Sequence, residues 1–278
     1  MRLERGVGFA AAALMALGCA SSGAGERAGA LVIVGGGGTT PPILARALEL
    51  AAGPRTKVVV LPQASSVERR GEESAQMWRD AGAAEARVVE FEDVDAAREA
   101  IRGADLVWIG GGDQNRFMKE AQEAGVAELL VERHRAGAVF GGTSAGAAVM
   151  TQRMITGDPE NAVERLAPGS VGLDRGLGLL PGALVDQHFV VRRRNNRLLS
   201  AVLERPAEIG FGIDERTALI VLPERFEVLG EGPVVVFDAR EAQVAAQDSG
   251  PVWSTRGVKL SVLREGDWLP RGDILPRR

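Results

Sequence analysis

One stretch limits what this chain can fold into more than any other: residues 136–150, Ala-Gly-Ala-Val-Phe-Gly-Gly-Thr-Ser-Ala-Gly-Ala-Ala-Val-Met. Residues 136–141 read as a short buried strand and residues 145–150 open like a helix. The chain must therefore turn sharply at Gly142-Thr143-Ser144-Ala145-Gly146. A serine between glycines at a strand-to-helix turn has the G-x-S-x-G pattern of a nucleophile elbow. The turn lifts the hydroxyl out of the sheet, and its small neighbours let a carbonyl group approach the backbone. The first amides of the following helix have no intrahelical partner, so they and the positive end of its dipole favour an oxyanion forming there.

The flanking sequence repeats the same unit. Residues 31–34 form an apolar run that enters Gly35-Gly36-Gly37-Gly38, and residues 41–52 carry apolar positions at helical spacing. Further strands are predicted at 58–61, 88–89 and 106–109, the last entering Gly110-Gly111-Gly112. Helices are predicted at 72–80 and across 116–135. Strands alternating with helices at short spacing imply a mostly parallel, doubly wound α/β sheet. Ligands of such sheets bind beyond the carboxyl ends of the strands, where all three glycine-rich turns fall. After residue 210 the pattern changes to short β runs at 218–221, 226–229 and 234–237, which predicts an antiparallel C-terminal extension at the sheet edge.

The N-terminus predicts export. Arg2 and Arg5 precede an apolar stretch over residues 7–17 and then Gly18-Cys19-Ala20-Ser21-Ser22, the layout of a secretory signal. Residues 16–19, Ala-Leu-Gly-Cys, also resemble a bacterial lipobox that lipidates Cys19, although a leucine is usual where Ala16 stands. Cleavage after Ala20 is the alternative. The expected organisation is a signal over 1–19, a linker over 20–29, an α/β domain over 30–240 and an extension over 241–278. Localisation is then the cell envelope, lipid-anchored, or the extracellular medium.

Residue counts narrow the chemistry. Cys19 is the only cysteine, and His134 and His188 are the only histidines. A thiol nucleophile in the mature body and a Cys- or multi-His metal site are thereby excluded, and no metal or organic cofactor is expected. There is no tyrosine, and the net charge of −4 gives no case for nucleic acid. Gly35–Gly38 lacks the Lys-Ser/Thr of a P-loop, and no last glycine completes a dinucleotide fingerprint. Gly110–Gly112 fits better as a backbone nest for an anion. The chain leaves oligomeric state open, a homodimer included.

A serine nucleophile needs a base. His134 falls in the last turn of a predicted helix, where a cation would complement the dipole. His188 ends an apolar run among polar residues and is the better base by position and elimination. The carboxylate that orients it could be Asp214, Glu215 or Asp186. The order serine, histidine, acid differs from that of α/β-hydrolases and disfavours that fold.

Gly111-Gly112-Asp113-Gln114, residues 141–147, Asp186-Gln187-His188-Phe189 and residues 212–218 together resemble the signature blocks of cyanophycinases. These are serine peptidases of the dipeptidase E type with a fold similar to class I glutamine amidotransferases. The resemblance runs from about residue 30 to residue 222, with the blocks in order. It implies Ser144 as nucleophile, His188 as base, Glu215 as acid, and the amides of Gly112 and Ala145 as oxyanion hole. It also implies a substrate pocket at Gln114, Asp186, Gln187, Arg192, Arg194 and Arg197. The implied substrate is cyanophycin, a poly-aspartate backbone with arginine amide-linked to each β-carboxyl, or related β-aspartyl peptides. The alternatives are an aspartyl dipeptidase of the same superfamily and a non-catalytic, peptide-binding surface lipoprotein.

The arginines fall in Arg192-Arg193-Arg194-Asn195-Asn196-Arg197. Guanidinium forks pair bidentately with carboxylates, which such a substrate carries. In an extended segment Arg193 would face away from its neighbours, toward solvent. Only Lys57, Lys119 and Lys259 are lysine, so arginine is the chain's habit and each one carries little weight alone.

Overall fold

The computed structural model describes residues 28–67, 71–157, 164–245 and 251–275. The leader, Cys19 and most of the linker lie outside the described residues. The first half of the chain runs β1 (Leu31–Val34), α1 (Pro41–Leu50), β2 (Lys57–Leu61), α2 (Glu72–Asp80), β3 (Glu85–Val88) and α3 (Val94–Arg102). It continues through β4 (Leu106–Ile109), α4 (Gln114–Glu123), α5 (Ala127–Arg135), β5 (Val139–Thr143) and α6 (Ala145–Ala148). The second half holds β6 (Arg153–Ile155), β7 (Leu173–Arg175), β8 (Ala183–Gln187), α7 (Asn195–Glu204), β9 (Ile209–Ile213) and β10 (Thr217–Val221). Then follow β11 (Arg225–Gly230), β12 (Val234–Asp238), β13 (Gln243–Val244), β14 (Thr255–Arg256), β15 (Lys259–Leu263), β16 (Trp268–Pro270) and α8 (Arg271–Ile274).

Among the described residues the main sheet has eight strands in the order β16-β11-β10-β1-β5-β4-β2-β3. The block β1-β5-β4-β2-β3 is parallel, and β10, β11 and β16 extend it antiparallel beyond β1. The apolar runs at β1, β2 and β4 are buried on both faces, as a helix-covered parallel sheet requires. Strand alternation divides them between two cores. Ile33, Val59, Leu61, Val107 and Phe140 join Ile101, Phe117 and Leu130 on one side. Val32, Val34, Val58, Val60 and Trp108 join Ile43, Leu44, Leu48 and Trp78 on the other. Trp78 meets Trp108 edge-on at 5.2 Å. Gly141 makes room for this pair, since a Cβ there would lie 2.7 Å from the Trp108 ring.

Three expectations change. The helix predicted across 116–135 is two helices, because Gly125 takes a φ of +63° and turns the chain between α4 and α5. Helix α3 was not expected: its buried face is Ala97, Ala100 and Ile101, too weak an apolar stripe to show in the sequence, although Asp93 caps it through Ala96 N–H at 3.0 Å. The run at 234–237 does not join the main sheet. It becomes β12 of a second sheet of order β15-β12-β9-β8, in which β8 and β9 are parallel and α7 connects them. The two sheets are joined where β9 passes into β10 through Asp214-Glu215-Arg216. Among the described residues no helix is long and apolar enough to cross a membrane.

Candidate active site

The carboxyl end of β1 gathers the site. Val34, Gly35 and Gly36 each offer a backbone carbonyl, and these accept in turn from Ser144 N–H (3.1 Å), His188 N–H (2.7 Å) and Arg216 N–H (2.7 Å). Three segments distant in sequence are thereby registered to one another by their main chains. No side chain fits at Gly36 or Gly37 of the loop that covers them. A Cβ on Gly36 would fall 2.2 Å from His188 Cε1, and one on Gly37 would fall 2.6 Å from Glu215 Oε2. Their φ values of +110° and +67° also favour glycine. The glycine run that did not read as a nucleotide loop is the roof over the histidine and its carboxylate.

Ser144 stands at the tip of the β5–α6 turn with φ +54° and ψ −112°, a strained conformation for a non-glycine residue. The flanking glycines permit it: a Cβ at Gly142 would meet Gly146 O at 2.6 Å, and one at Gly146 would meet Ile109 O at 2.1 Å. On the neighbouring strand end, Gly112 holds φ +138° against the Ala64 carbonyl, and a Cβ on Gly111 would lie 3.5 Å from Ser144 Cβ. The β4 and β5 turns therefore bring the main chain at Gly111–Gly112 beside the serine. Ala145 is the first residue of α6, where amides lack intrahelical acceptors.

Ser144 Oγ lies 2.9 Å from His188 Nε2, and His188 Nδ1 lies 2.6 Å from Glu215 Oε1. The three carboxylates left open by the sequence have different environments. Glu215 reaches the imidazole. Asp214 is buried and its Oδ1 accepts from Val190 N–H at 3.1 Å and Val191 N–H at 3.2 Å. Asp186, 1% exposed, receives Arg197 Nε at 2.9 Å on Oδ2 and Arg197 Nη2 on Oδ1, with Arg194 Nη1 at 3.6 Å. Burial pushes the Asp186 carboxyl up, and Arg194 and the Gln187 amide oppose the rise.

Burial lowers the His188 pKa, the hydrogen bond to Glu215 opposes that, and Arg192 adds to the lowering. The neutral imidazole, the form that accepts a proton, thus persists to lower pH than in an ordinary histidine. His134 does not act as a cation against the α5 dipole. It is buried edge-on to Phe140, and desolvation drives its pKa down to about 4, so it is neutral.

The remaining expected pocket residues divide by exposure. Arg192 is exposed, as is Arg193 beside it, which was expected to face solvent. Arg194 is buried and donates from Nη1 to Gln187 O at 2.8 Å and to Gln187 Oε1. Arg197 is 2% exposed on α7. Gln114, at the start of α4, is buried and donates from Nε2 to Ile155 O at 2.8 Å. The segment carrying the arginines is not extended. It is a tight turn with Arg193 at φ +53°, leading into α7 at Asn195, and this turn leaves Arg193 in solvent. Among the described residues no group of three or more His, Cys, Asp and Glu is placed to hold a metal ion.

The family model of Peptidase family S51 matches residues 31–229. A cyanophycinase from Geminocystis herdmanii is 32% identical over 240 residues, 81% of this chain and 86% of its own length. Another from Nostoc sp. is 37% identical over 186 residues, 64% of this chain and 60% of its own. A Peptidase E from Haemophilus influenzae is 28% identical over 148 residues, 50% of this chain and 60% of its own. Among solved structures, a peptidase from an acI-B1 Actinobacterium superposes with a TM-score of 0.63 at 19% identity, covering 88% of this chain and 98% of its own. That likeness shows the fold, the mostly parallel sheet of class I glutamine amidotransferase-like proteins. The family match over most of the chain carries the rest: the protein belongs to peptidase family S51 and is a serine peptidase.

Proposed function

We propose that the protein hydrolyses cyanophycin or related β-aspartyl peptides through an acyl-enzyme on Ser144. The observation that carries this reading is the continuous relay from Ser144 Oγ through the His188 ring to Glu215. The likeness to cyanophycinases over 81% of the chain supports the substrate class.

In this reading His188 Nε2 takes the Ser144 proton as Oγ attacks the scissile carbonyl. Glu215 fixes the tautomer that leaves Nε2 free to accept, and it stabilises the imidazolium that forms. The amides of Gly112 and Ala145 receive the oxyanion, where preorganised donors are worth most. The tetrahedral intermediate collapses, the imidazolium returns its proton to the leaving amine, and water repeats the sequence to release the acid. Arg192, the exposed guanidinium closest in charge effect to His188, takes a substrate carboxylate. Arg194, Arg197, Asp186, Gln187 and Gln114 shape the pocket from behind it.

From the secretory-signal layout of residues 2–22 and the lipobox-like residues 16–19 we further propose that the mature chain lies outside the cytoplasm, held by a lipid on Cys19. Metabolic labelling with a radioactive fatty acid should mark the full-length protein and leave Cys19→Ala unlabelled. Equal labelling of both, or of neither, contradicts the anchor.

Purified protein should release β-Asp-Arg dipeptides from cyanophycin, and Ser144→Ala should lower that rate by about a million-fold with an unchanged circular-dichroism spectrum. Cleavage of α-aspartyl dipeptides alone would favour the aspartyl dipeptidase alternative. Activity of Ser144→Ala within about tenfold of wild type, ~1.4 kcal/mol, would end the serine mechanism.

The arginines should separate by burial. Arg192→Ala should lower kcat/KM for carboxylate-bearing substrates about ten- to a hundredfold, since a charge-assisted pair is worth roughly 1.5–3 kcal/mol, and leave the melting temperature unchanged. Arg197→Ala removes both guanidinium hydrogen bonds of the buried Asp186, leaving it only the more distant Arg194, and should lower the melting temperature strongly. Arg193→Ala should change neither. A melting temperature insensitive to Arg197→Ala, or equal kinetic losses at Arg192 and Arg193, would contradict this division.

A further inference from the structure

His188 is held in an unusual place. Its φ is +49°, a left-handed conformation that histidine adopts at a cost, and the main chain leaves β8 there to form the turn 189–194. Such a conformation persists only where its surroundings over-determine it. The carbonyl of Gly35 fixes the His188 amide from one side. On the other side the turn closes on itself, Arg192 N–H on His188 O at 2.9 Å and Arg194 N–H on Phe189 O at 2.9 Å. Two amides of the turn, at Val190 and Val191, point inward and both end on one atom, Asp214 Oδ1. Phe189 and Arg194 anchor the two ends of the turn by burial, but the side chains of those two valines are 45% and 62% exposed, so between the anchors the amide bonds to Asp214 take the place of side-chain packing. Asp214 itself cannot shift easily: a Cβ on Gly232 would lie 3.0 Å from its Cβ, and its own amide donates to Pro233 O at 3.2 Å.

Resting on the reading of His188 as the base, we propose that Asp214 is a positioning residue, whose carboxylate oxygen holds the 189–194 turn and so keeps the imidazole between Ser144 and Glu215. Adjacent residues then do separate work at one strand end. Glu215 orients the ring, and Asp214 holds the backbone that carries it. Because Arg192 sits in the same turn, Asp214 also sets the distance between the base and the carboxylate-binding guanidinium.

Removing the oxygen leaves two amides of a partly buried turn without their acceptor. In a two-state turn this should shift the conformer equilibrium against the productive form by roughly ten- to a hundredfold, and kcat falls as that form becomes the minor one. The groups acting on the His188 ring are Ser144 from the β5–α6 turn, Glu215 from the β9–β10 turn, and Arg192 and Arg194 from its own turn ahead of α7. Loosening the turn brings water to the ring, and since burial is the main cause of its lowered pKa, the pKa should rise toward the ordinary value.

The test compares Asp214→Ala with Asp214→Asn, which keeps a carbonyl oxygen at the same reach. The chain has two histidines, His134 and His188, so the His188 ring can be followed by NMR once its resonance is assigned with a His134→Gln variant. Run in a Ser144→Ala background, that titration needs no turnover and stays informative even if the serine-peptidase mechanism were to fail. Asp214→Ala should raise the His188 pKa and, with Ser144 intact, lower kcat about ten- to a hundredfold and move the acid limb of the pH–rate profile upward. Asp214→Asn should stay within about threefold of wild type, ~0.65 kcal/mol, with an unmoved titration. An unchanged His188 titration in Asp214→Ala, whatever its melting temperature, overturns the proposal. If Asp214→Ala does not fold, Asp214→Asn decides alone, and a displaced His188 titration or a tenfold loss there would show that charge and not the oxygen's hydrogen bonds is at work.

Discussion

Three consecutive carbonyls at the end of β1 are the interaction on which the rest of the site depends. Val34, Gly35 and Gly36 receive amide hydrogens from Ser144, His188 and Arg216, and through them Ser144, His188 and the neighbour of Glu215 share one reference. Backbone hydrogen bonds are short and directional, so they register three loops more tightly than side-chain contacts between them could. The arrangement demands that nothing project from β1 at this point. Glycine at 36 and 37 meets that demand, and the His188 and Glu215 side chains fill the space a Cβ would occupy. The parallel sheet supplies the location: its strand ends are where helices begin and where main-chain amides are free.

Charge is handled by separation. The His188–Glu215 pair sits partly accessible, while Asp186 and Arg197 form a pair removed from solvent. A buried pair of this kind stabilises little in net terms, but breaking it is expensive, so it fixes geometry more than it adds stability. It ties β8, the strand leading to His188, to α7, the helix that follows the His188 turn. Asp214 ties the middle of that turn to the β9 end. Two buried carboxylates therefore brace one short segment.

What was legible in the sequence was local. The elbow at Ser144 could be read because strand, glycines, serine and helix occupy fifteen contiguous residues, and the doubly wound sheet followed from the same repeating unit. His188 followed by elimination in a chain with two histidines. The residues by themselves left the carboxylate open, and only the family resemblance pointed to Glu215: Asp214 and Glu215 are adjacent at a strand end, and which one meets the imidazole depends on the turn of the chain between two sheets. The burial of Arg197 was equally hidden, since its partner lies eleven positions away on another element. The arginine run read as extended because nothing local announces the left-handed backbone at His188 and Arg193. Helix α3 escaped notice because alanine buries a helix face without marking it.

The central claim is that His188 and Glu215 make Ser144 a nucleophile. The direct measurement is the rate at which a fluorophosphonate, which reacts with activated serines, modifies the protein as a function of pH, with the adduct located by peptide mass spectrometry. The account predicts a single adduct on Ser144, a rate that rises with pH through one ionisation below the ordinary histidine value, and near-complete loss of labelling in His188→Ala. Labelling at another residue, or a rate at Ser144 that is the same in His188→Ala as in the intact chain, would contradict it.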